Sequence, residues 1–350
     1  MPFIDRLLPA PRDGGFQMED YWIWCGSVIR AAEDSRYHMF ASRWPRSLSF
    51  SPHWATNSEI VRASSDTAEG PYRFDEVVLP WRHRRYFDGL MTHNPAIREF
   101  RGVYYLYHIG ATYDFDIPTP DRQLSEGKYA EHQELYRLAW NNKRIGLASS
   151  DSIFGPWKRG DAPLIEPRPG KWDTLITSNP SICIREDGFT LMIYKSRRSW
   201  NDPFQLGIAT APHPTGPFTR VSDDPTFPFD CEDPSLWWED GRYHVIMKDF
   251  SGQICGEPDA GAYAWSEDGV QWHLPEDSRA YSRTVRWDDG TTSTHGNLER
   301  PSLLMENGHS THLFAAISAG PEKHWQSTGT RNICIPLRPS QGAETSGPMG

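Results

Sequence analysis

The chain has 350 residues with a net charge of −10, and 13% of its residues are aromatic. The negative charge argues against a nucleic-acid or anionic-membrane partner, and no apolar run is long enough to span a bilayer. The N-terminal residues lack a signal-peptide pattern, and the five scattered cysteines include no CxxC pair. These features predict a cytoplasmic protein with reduced thiols, and they leave its oligomeric state open.

The length suits one domain over residues 1–338, followed by a disordered tail over 339–350. We expect residues 1–20 to run along the outside of this domain or to close it. Cys25-Gly26 then introduces a run of β-branched and aromatic residues, a polar turn and a second such run. Four later units repeat this order, each after a phrase ending in proline: His93-Asn94-Pro95, Ser178-Asn179-Pro180, Glu232-Asp233-Pro234 and Glu299-Arg300-Pro301.

A second phrase follows several of these units and predicts two further strands in each. It contains a Gly-Pro turn, as at Gly70-Pro71, Gly155-Pro156 and Gly216-Pro217. Four strands per unit are typical of a propeller blade, whose faces are buried by its neighbours. The sequence therefore predicts an all-β, five-bladed β-propeller with four-stranded antiparallel blades. A β-sandwich with coincidental turns fits less well, because the paired phrases recur in the same order.

Residues 112–142 interrupt the second unit, and the stretch GKYAEHQELYRLAWNNK within them predicts a helical insertion. Such a helix could form the wall of a pocket or cap the edge of a blade. The polar residues that precede the first strand of each unit would converge if the units surround an axis, which predicts a central site.

The chain resembles the five-bladed β-propeller glycosidases of glycoside hydrolase family 43 and its relatives in families 32, 117 and 130, from about residue 20 to residue 338. The resemblance implies a carbohydrate substrate and catalytic carboxylates in a central funnel. Glu232 matches the general acid of the family's Glu-x-Pro phrase. Asn179 stands where the family has a pKa-tuning Asp, and Cys25-Gly26-Ser27 stands where it has Asp-Pro-Ser. The chain thus resembles a divergent branch of these families, and the family's base cannot be carried over to it.

Hydrolysis of a glycosidic bond commonly needs one protonated and one ionised carboxyl. Glu232 is the candidate acid, since the neighbouring Asp233 would raise its pKa. Glu299 and Asp88 are equal candidates for the second carboxylate, and Asp20 is a weaker one. A matching Asp173 segment in the next unit also allows a structural role for Asp88.

His93 and His295 occupy equivalent places in their units, where each could bind a sugar hydroxyl or transfer a proton. Related propellers often hold a central ion or water through a last-blade His, so a central structural ion stays open, although no cofactor is required. Trp24 could stack on a sugar or pack in the core.

Several remaining polar residues are expected to bind substrate: Cys25, Asn94, Asn179, Asp233, Lys195 and Arg300. Lys195 belongs to the basic run 195–198 at a strand end, and Lys248 holds the matching place in the next unit. These cations could be solvated, or could bind an anionic sugar group, for which Arg300 is the better candidate. The leading prediction is a glycoside hydrolase. A phosphorolytic relative and a non-catalytic sugar-binding propeller are the alternatives.

Overall fold

Each repeated phrase forms part of the innermost strand of a β-sheet in the computed structural model, which describes residues 1–114, 116 and 136–340. The first blade contains β1 (Tyr21–Arg30), β2 (Tyr37–Pro45), β3 (Glu59–Ser65) and β4 (Arg73–Leu79). The second contains β5 (Met91–Phe100), β6 (Val103–Ala111), β7 (Arg144–Ser150) and β8 (Lys158–Arg159). The third contains β9 (Ser178–Ile184), β10 (Thr190–Ser196), β11 (Gln205–Ala211) and β12 (Thr219–Arg220).

The fourth blade contains β13 (Cys231–Glu239), β14 (Arg242–Asp249), β15 (Ala260–Ser266) and β16 (Arg279–Tyr281). A hairpin of β17 (Thr284–Arg286) and β18 (Thr292–Thr294) precedes the fifth blade, which contains β19 (Leu298–Glu306), β20 (His309–Ser318) and β21 (Thr330–Pro336). The innermost strands β1, β5, β9, β13 and β19 contact one another in this order, and β19 contacts β1 again. The predicted five-bladed β-propeller is therefore confirmed.

Apolar side chains fill each seam between neighbouring blades. Phe40 and Ile60 of the first blade pack with Leu106 of the second, and all three are fully buried. Leu313 of the fifth blade packs with Trp237 of the fourth in the same manner. Because a blade has no other way to remove its apolar faces from water, the ring depends on its seams.

The N-terminal segment closes the ring by adding to the outer edge of the fifth blade. A 3₁₀ turn, η1 (Phe3–Arg6), leads into a stretch that bridges to β21, where Phe16 and Asn332 exchange two backbone hydrogen bonds of 2.9 Å. This supplies the edge that the three-stranded fifth sheet lacks. Of the two courses expected for residues 1–20, closure of the ring is the one observed.

One helix that the sequence did not predict, α1 (Phe50–Asn57), connects β2 to β3. Residues 136–141 are also helical and represent the end of the predicted insertion; the rest of that prediction lies outside the described residues, as does the predicted tail from residue 341. Among the described residues, no helix has the length and apolar character needed to cross a bilayer.

Candidate active site

The same backbone irregularity occurs in the innermost strand of all five blades. Each strand carries one non-glycine residue with a left-handed φ of 49–58°, next to a shift in the ladder register: Cys25, Asn94, Asn179, Asp233 and Arg300. Such a β-bulge changes the direction of the side chains at and beside it. Here it turns them toward the propeller axis, where the five residues line a shared central cavity. The predicted convergence of these positions is what the structure shows.

Above this ring lies a wider cavity of about 450 Å³, which opens where the innermost strands begin. The residues immediately before four of the five bulges line it: Trp24, His93, Glu232 and Glu299. Its walls are mainly aromatic, and all five blades contribute to them. The aromatic residues are Phe50 and Trp54 of α1, Tyr136, Trp140, Phe204, Phe250, His324 and Trp325. Flat aromatic walls around a few charged groups are the usual composition of a small-molecule site.

Glu232 and Glu299 lie side by side at the base of this cavity and share a lysine. Lys248 Nζ is 2.5 Å from Glu299 Oε1 and 3.5 Å from Glu232 Oε1. Lys195 Nζ donates to Glu232 Oε2 at 2.6 Å, and Asn297 Nδ2 donates to Glu299 Oε1 at 2.6 Å. Both carboxylates and both lysines are buried.

These lysines decide the protonation of the two glutamates. Burial alone would raise the pKa of Glu232, but Lys195 and Lys248 outweigh burial and hold that pKa well below its usual range. Burial acts on Glu299 in the same direction, and Lys248 again prevails and lowers its pKa to about 2. In the ligand-free protein, both glutamates are therefore carboxylates at neutral pH.

Asp233 belongs to the lower ring and is paired with Arg300. Arg300 Nη1 donates to Asp233 Oδ1, which also accepts a 2.5 Å hydrogen bond from Asn179 Nδ2. Burial raises the pKa of Asp233 to about 6, and the negative charges of Glu232 and Glu299 contribute to the rise. Arg300 is thus already neutralised by Asp233, which weakens the expectation that it binds an anionic substrate group.

Cys25 and His93 join the first two blades where the cavity meets the central ring. Cys25 Sγ donates to Asn94 Oδ1 at 2.7 Å and lies 3.4 Å from His93 Nε2, and His93 Nδ1 is 2.8 Å from Ser58 Oγ. Burial raises the pKa of the Cys25 thiol and lowers the pKa of His93 well below its usual value. The cysteine that replaces the family's aspartate is thus an uncharged hydrogen-bond donor here, and it neither activates water nor attacks a sugar as a thiolate.

Asp88 lies outside the cavity, which corrects its predicted position. It is fully buried between Arg82, Arg159 and His108, with Arg159 Nη2 at 2.7 Å and His108 Nε2 at 3.1 Å. Asp173 has the same type of partners in the third blade. The repeated aspartate binds the outermost strand of its blade to the loop that leads into the innermost strand of the same blade. This is the structural role that the sequence repeat allowed.

His295 also lies away from the cavity and so corrects its predicted equivalence with His93. Its ring nitrogens contact Ser293 Oγ at 2.9 Å and the Ser318 carbonyl at 2.8 Å, beside the β17–β18 hairpin. Along the chain, His295 lies further from the bulge residue of its blade, Arg300, than His93, which directly precedes the bulge residue Asn94. His324, from the β20–β21 loop, occupies the cavity instead, and sequence reasoning did not find it.

The buried positions of Lys195 and Lys248 follow from strand direction. Each residue is the second-last of the second strand of its blade, and this strand runs antiparallel to the first, so its end lies beside the start of the innermost strand. Glu232 and Lys248 are directly paired in the ladder. Of the two alternatives for these cations, solvation does not hold for either lysine, since both are buried. Antiparallel pairing is the signal in the sequence that could have indicated this position.

The three acidic groups Glu232, Asp233 and Glu299 have carboxylate oxygens within 4.8 Å of one another, a cluster that could hold a metal ion. Each of them already contacts a cation, namely Lys195, Lys248 or Arg300. A dication would have to displace these cations, so the cluster as it stands does not fit the central ion that the resemblance left open.

Trp24 shows both of the contacts that its sequence position allowed. It lines the cavity, and it packs in an edge-on arrangement against Phe50 with ring centroids 5.2 Å apart. Phe50 also lies 4.3 Å from the His324 ring. Trp24 thus forms part of a rigid aromatic wall, which is the structure that sugar stacking requires.

No family model and no curated protein matches the chain. Solved structures do match it: Zg3597, a family 117 glycoside hydrolase from the marine bacterium Zobellia galactanivorans, has a TM-score of 0.64 at 16% identity, over 94% of this chain and 89% of that one. A thermostable family-43 glycoside hydrolase has a TM-score of 0.60 at 16% identity, over 97% and 98%. The catalytic domain of the Coprinopsis cinerea GH62 alpha-L-arabinofuranosidase has a TM-score of 0.58 at 12% identity, over 96% and 98%. The chain therefore has the five-bladed propeller fold found in these glycoside hydrolases.

Proposed function

We propose that this protein cleaves a glycosidic bond in the cavity on the propeller axis, with Glu232 and Glu299 at the reacting bond. The observation that carries the proposal is the position of these two buried carboxylates, on adjacent blades, at the base of an aromatic cavity of about 450 Å³. The fold shared with three families of glycoside hydrolases supports a carbohydrate substrate.

The roles of the two glutamates follow from their partners. Lys248 and Asn297 both contact Glu299 and favour its ionised form, so Glu299 suits the part of the carboxylate. Glu232 suits the part of the acid only if it gains a proton. Because Lys195 opposes this in the free protein, we infer that substrate draws Lys195 away from Glu232 and thereby raises the pKa of Glu232. No cofactor enters this scheme.

Phosphorolysis is the second candidate, because cations beside the glutamates could hold phosphate. Oxygens of the two glutamates lie within 4.8 Å of each other. This is shorter than the about 6.5–9.5 Å between an acid and a water-activating base, and closer to the about 5–5.5 Å of hydrolases whose second carboxylate attacks the sugar as a nucleophile. Phosphorolysis needs one carboxyl acid and a set of cations that hold phosphate, and it needs no activated water. Lys195 and the nearby Arg197 provide cations on one wall of the cavity.

The decisive variant is Glu232→Gln, assayed on a panel of nitrophenyl glycosides and natural oligosaccharides with and without phosphate. We expect kcat/KM to fall by about 100-fold or more, since general acid catalysis contributes about 10²–10⁴-fold. Glu276→Gln changes an exposed glutamate of the β15–β16 loop and is the matched control. Circular dichroism and thermal unfolding show whether each variant is folded.

Three results separate the candidates. Turnover that requires phosphate identifies a phosphorylase, and turnover in its absence identifies a hydrolase. Near-normal activity of a folded Glu232→Gln variant removes Glu232 from the reaction. Binding of a glycan with equal affinity by the parent protein and the variant, with no turnover by either, would refute catalysis and leave a sugar-binding propeller.

A further inference from the structure

The cations around the cavity fall into two groups. Those of the first group contact a carboxylate: Lys195 contacts Glu232, Lys248 contacts Glu299, Arg300 contacts Asp233 and Lys323 contacts Asp259. Lys143 and Arg197 form the second group, because among the described residues neither has a carboxylate within 4.0 Å. Neither is among the residues that line the cavity, but both contact aromatic rings that line it between the second and third blades.

Lys143 lies just before β7 with only 1% of its surface exposed. Its Nζ is 3.6 Å from the centroid of the Trp140 ring and 5.0 Å from that of Trp54, and both rings line the cavity. Burial lowers its pKa well below the usual value, and the neighbouring Lys195 adds to this effect. A buried amine without a counterion is costly, and natural proteins usually pair or ligate such a group.

Arg197 follows the end of β10 with 8% of its surface exposed. Its guanidinium carbon lies 4.4 Å from the centroid of Trp140, 4.6 Å from that of Trp200 and 4.5 Å from that of Phe204. These three rings surround the guanidinium. Its buried Nε has no hydrogen-bond partner among the described residues.

The two cations are linked to the reacting carboxylates through shared rings. Trp140 contacts both Lys143 and Arg197, while Phe204 contacts both Arg197 and Lys195. Lys195 in turn donates to Glu232. An anion bound by this wall would thus lie close to the lysine that opposes protonation of Glu232.

We propose that Lys143 and Arg197 form a subsite for an anionic oxygen group, which is a carboxylate, sulfate or phosphate ester on the sugar or free inorganic phosphate. The proposal rests on the proposed glycosidic-bond cleavage and names its substrate class as acidic. An anion here gives Arg197 a planar acceptor and Lys143 a counterion. It also attracts Lys195, and so couples recognition of the anion to release of the Glu232 carboxyl.

The test compares substrates that differ only in charge. Uronic-acid oligosaccharides and their carboxyl-reduced neutral counterparts are assayed with the parent protein and with the variants Arg197→Gln and Lys143→Met, which keep most of the side-chain volume. Arg198→Gln is the matched control, because Arg198 is the next residue and is exposed. Parallel reactions contain or lack inorganic phosphate, and sulfated oligosaccharides provide a third set.

We expect each subsite variant to lose about 10–100-fold more in kcat/KM on the acidic substrate than on the neutral one, as hydrogen bonds to charged groups are worth about 1.5–3 kcal/mol. A loss confined to phosphate-dependent turnover would assign the subsite to free phosphate. Equal use of acidic and neutral substrates by every variant, with or without phosphate, would overturn the subsite and leave cleavage intact.

If no substrate is turned over, a binding measurement still tests the subsite independently of cleavage. Isothermal titration with galacturonate and with inorganic phosphate then measures binding to the parent protein and to Arg197→Gln. Weaker binding by the folded variant, with unchanged binding by Arg198→Gln, would support the subsite although cleavage has failed. Identical binding by all three proteins would overturn it.

Discussion

At the scale of single residues, the five bulge positions show how one backbone feature serves two purposes. A left-handed φ costs a non-glycine residue roughly 1–2 kcal/mol, and asparagine and aspartate bear it better than most. Three of the five positions carry these residue types, namely Asn94, Asn179 and Asp233. The others hold Cys25 and Arg300, whose side chains bond to Asn94 and Asp233 respectively. The strain is thus offset by contacts across the axis.

The variant Asp88→Asn tests the corrected position of Asp88. We expect kcat/KM to change by less than about 3-fold, because Asp88 lies outside the cavity, while stability falls by about 3–5 kcal/mol as Arg82 and Arg159 lose a buried partner. Thermal unfolding and the glycoside assay measure the two effects. Asp173→Asn is the matched variant in the third blade and should behave alike. A folded Asp88→Asn protein with more than about 100-fold lower activity would restore the catalytic assignment.

At the scale of secondary-structure elements, the N-terminal segment decides whether the ring is closed. It hydrogen-bonds to β21 through Phe16 and to the first blade through Gly15, whose carbonyl accepts from Tyr72 at 2.8 Å. Phe16 is 2% exposed and packs among Val28, Phe314 and Cys334 at the seam between the last and first blades. The segment thus holds the two ends of the propeller together.

Phe16→Ala should therefore destabilise the protein by about 3–5 kcal/mol, which is typical of removing a buried phenylalanine. Phe74→Ala removes a phenylalanine that is 39% exposed and should cost about 1 kcal/mol or less. Urea unfolding gives both values, and hydrogen exchange should show early opening of β21 in the Phe16 variant alone. Equal losses for the two variants would mean that Phe16 does not close the ring.

At the scale of the whole molecule, a charged network joins three blades around the axis. Lys195 belongs to the third blade, Glu232 and Lys248 to the fourth, and Glu299 to the fifth. The contacts Lys195–Glu232 and Lys248–Glu299 both cross a blade seam. The network supports the ring as well as the site, so its protonation state affects global stability.

Stability should consequently fall on acidification. Lys248 lowers the pKa of Glu299 to about 2 against a burial effect of opposite sign, whereas the ordinary value is 4.5. A lowered pKa adds stability that is fully present above pH 4.5 and is lost as the pH falls toward 2, a contribution of about 3 kcal/mol.

Glu299→Gln checks this dependence. We expect the variant to be less stable than the parent protein at pH 7, and the difference in urea-derived free energy of unfolding to shrink as the pH falls from 5 toward 2. A difference that stays constant over this range would show that the Glu299 charge does not contribute to folding.

The architecture of this protein could be predicted from its repeated segments alone. Five strand–turn–strand units, each introduced by a short polar phrase, indicate blades, and blades bury their faces only in a ring, so the convergence of Asn94, Asn179, Asp233 and Arg300 followed from the repeat. Glu232 and Glu299 were accessible to the same reasoning, because each directly precedes its bulge position.

The repeat does not set which polar residues share the cavity or what charge they carry; both depend on how the blades pack in three dimensions. Asp88 and His295 lie near a repeated phrase in the chain, yet their side chains bond within the outer blade edges and the β17–β18 hairpin. Three other residues lie in segments that no repeat constrains: Lys143 just before a strand, Arg197 just after a strand and His324 in a loop. The pKa values of Glu232 and Glu299 depend on lysines from antiparallel strands and neighbouring blades. Periodicity is a local property and fixes the fold, whereas electrostatic interaction depends on distances in space that local pattern does not encode.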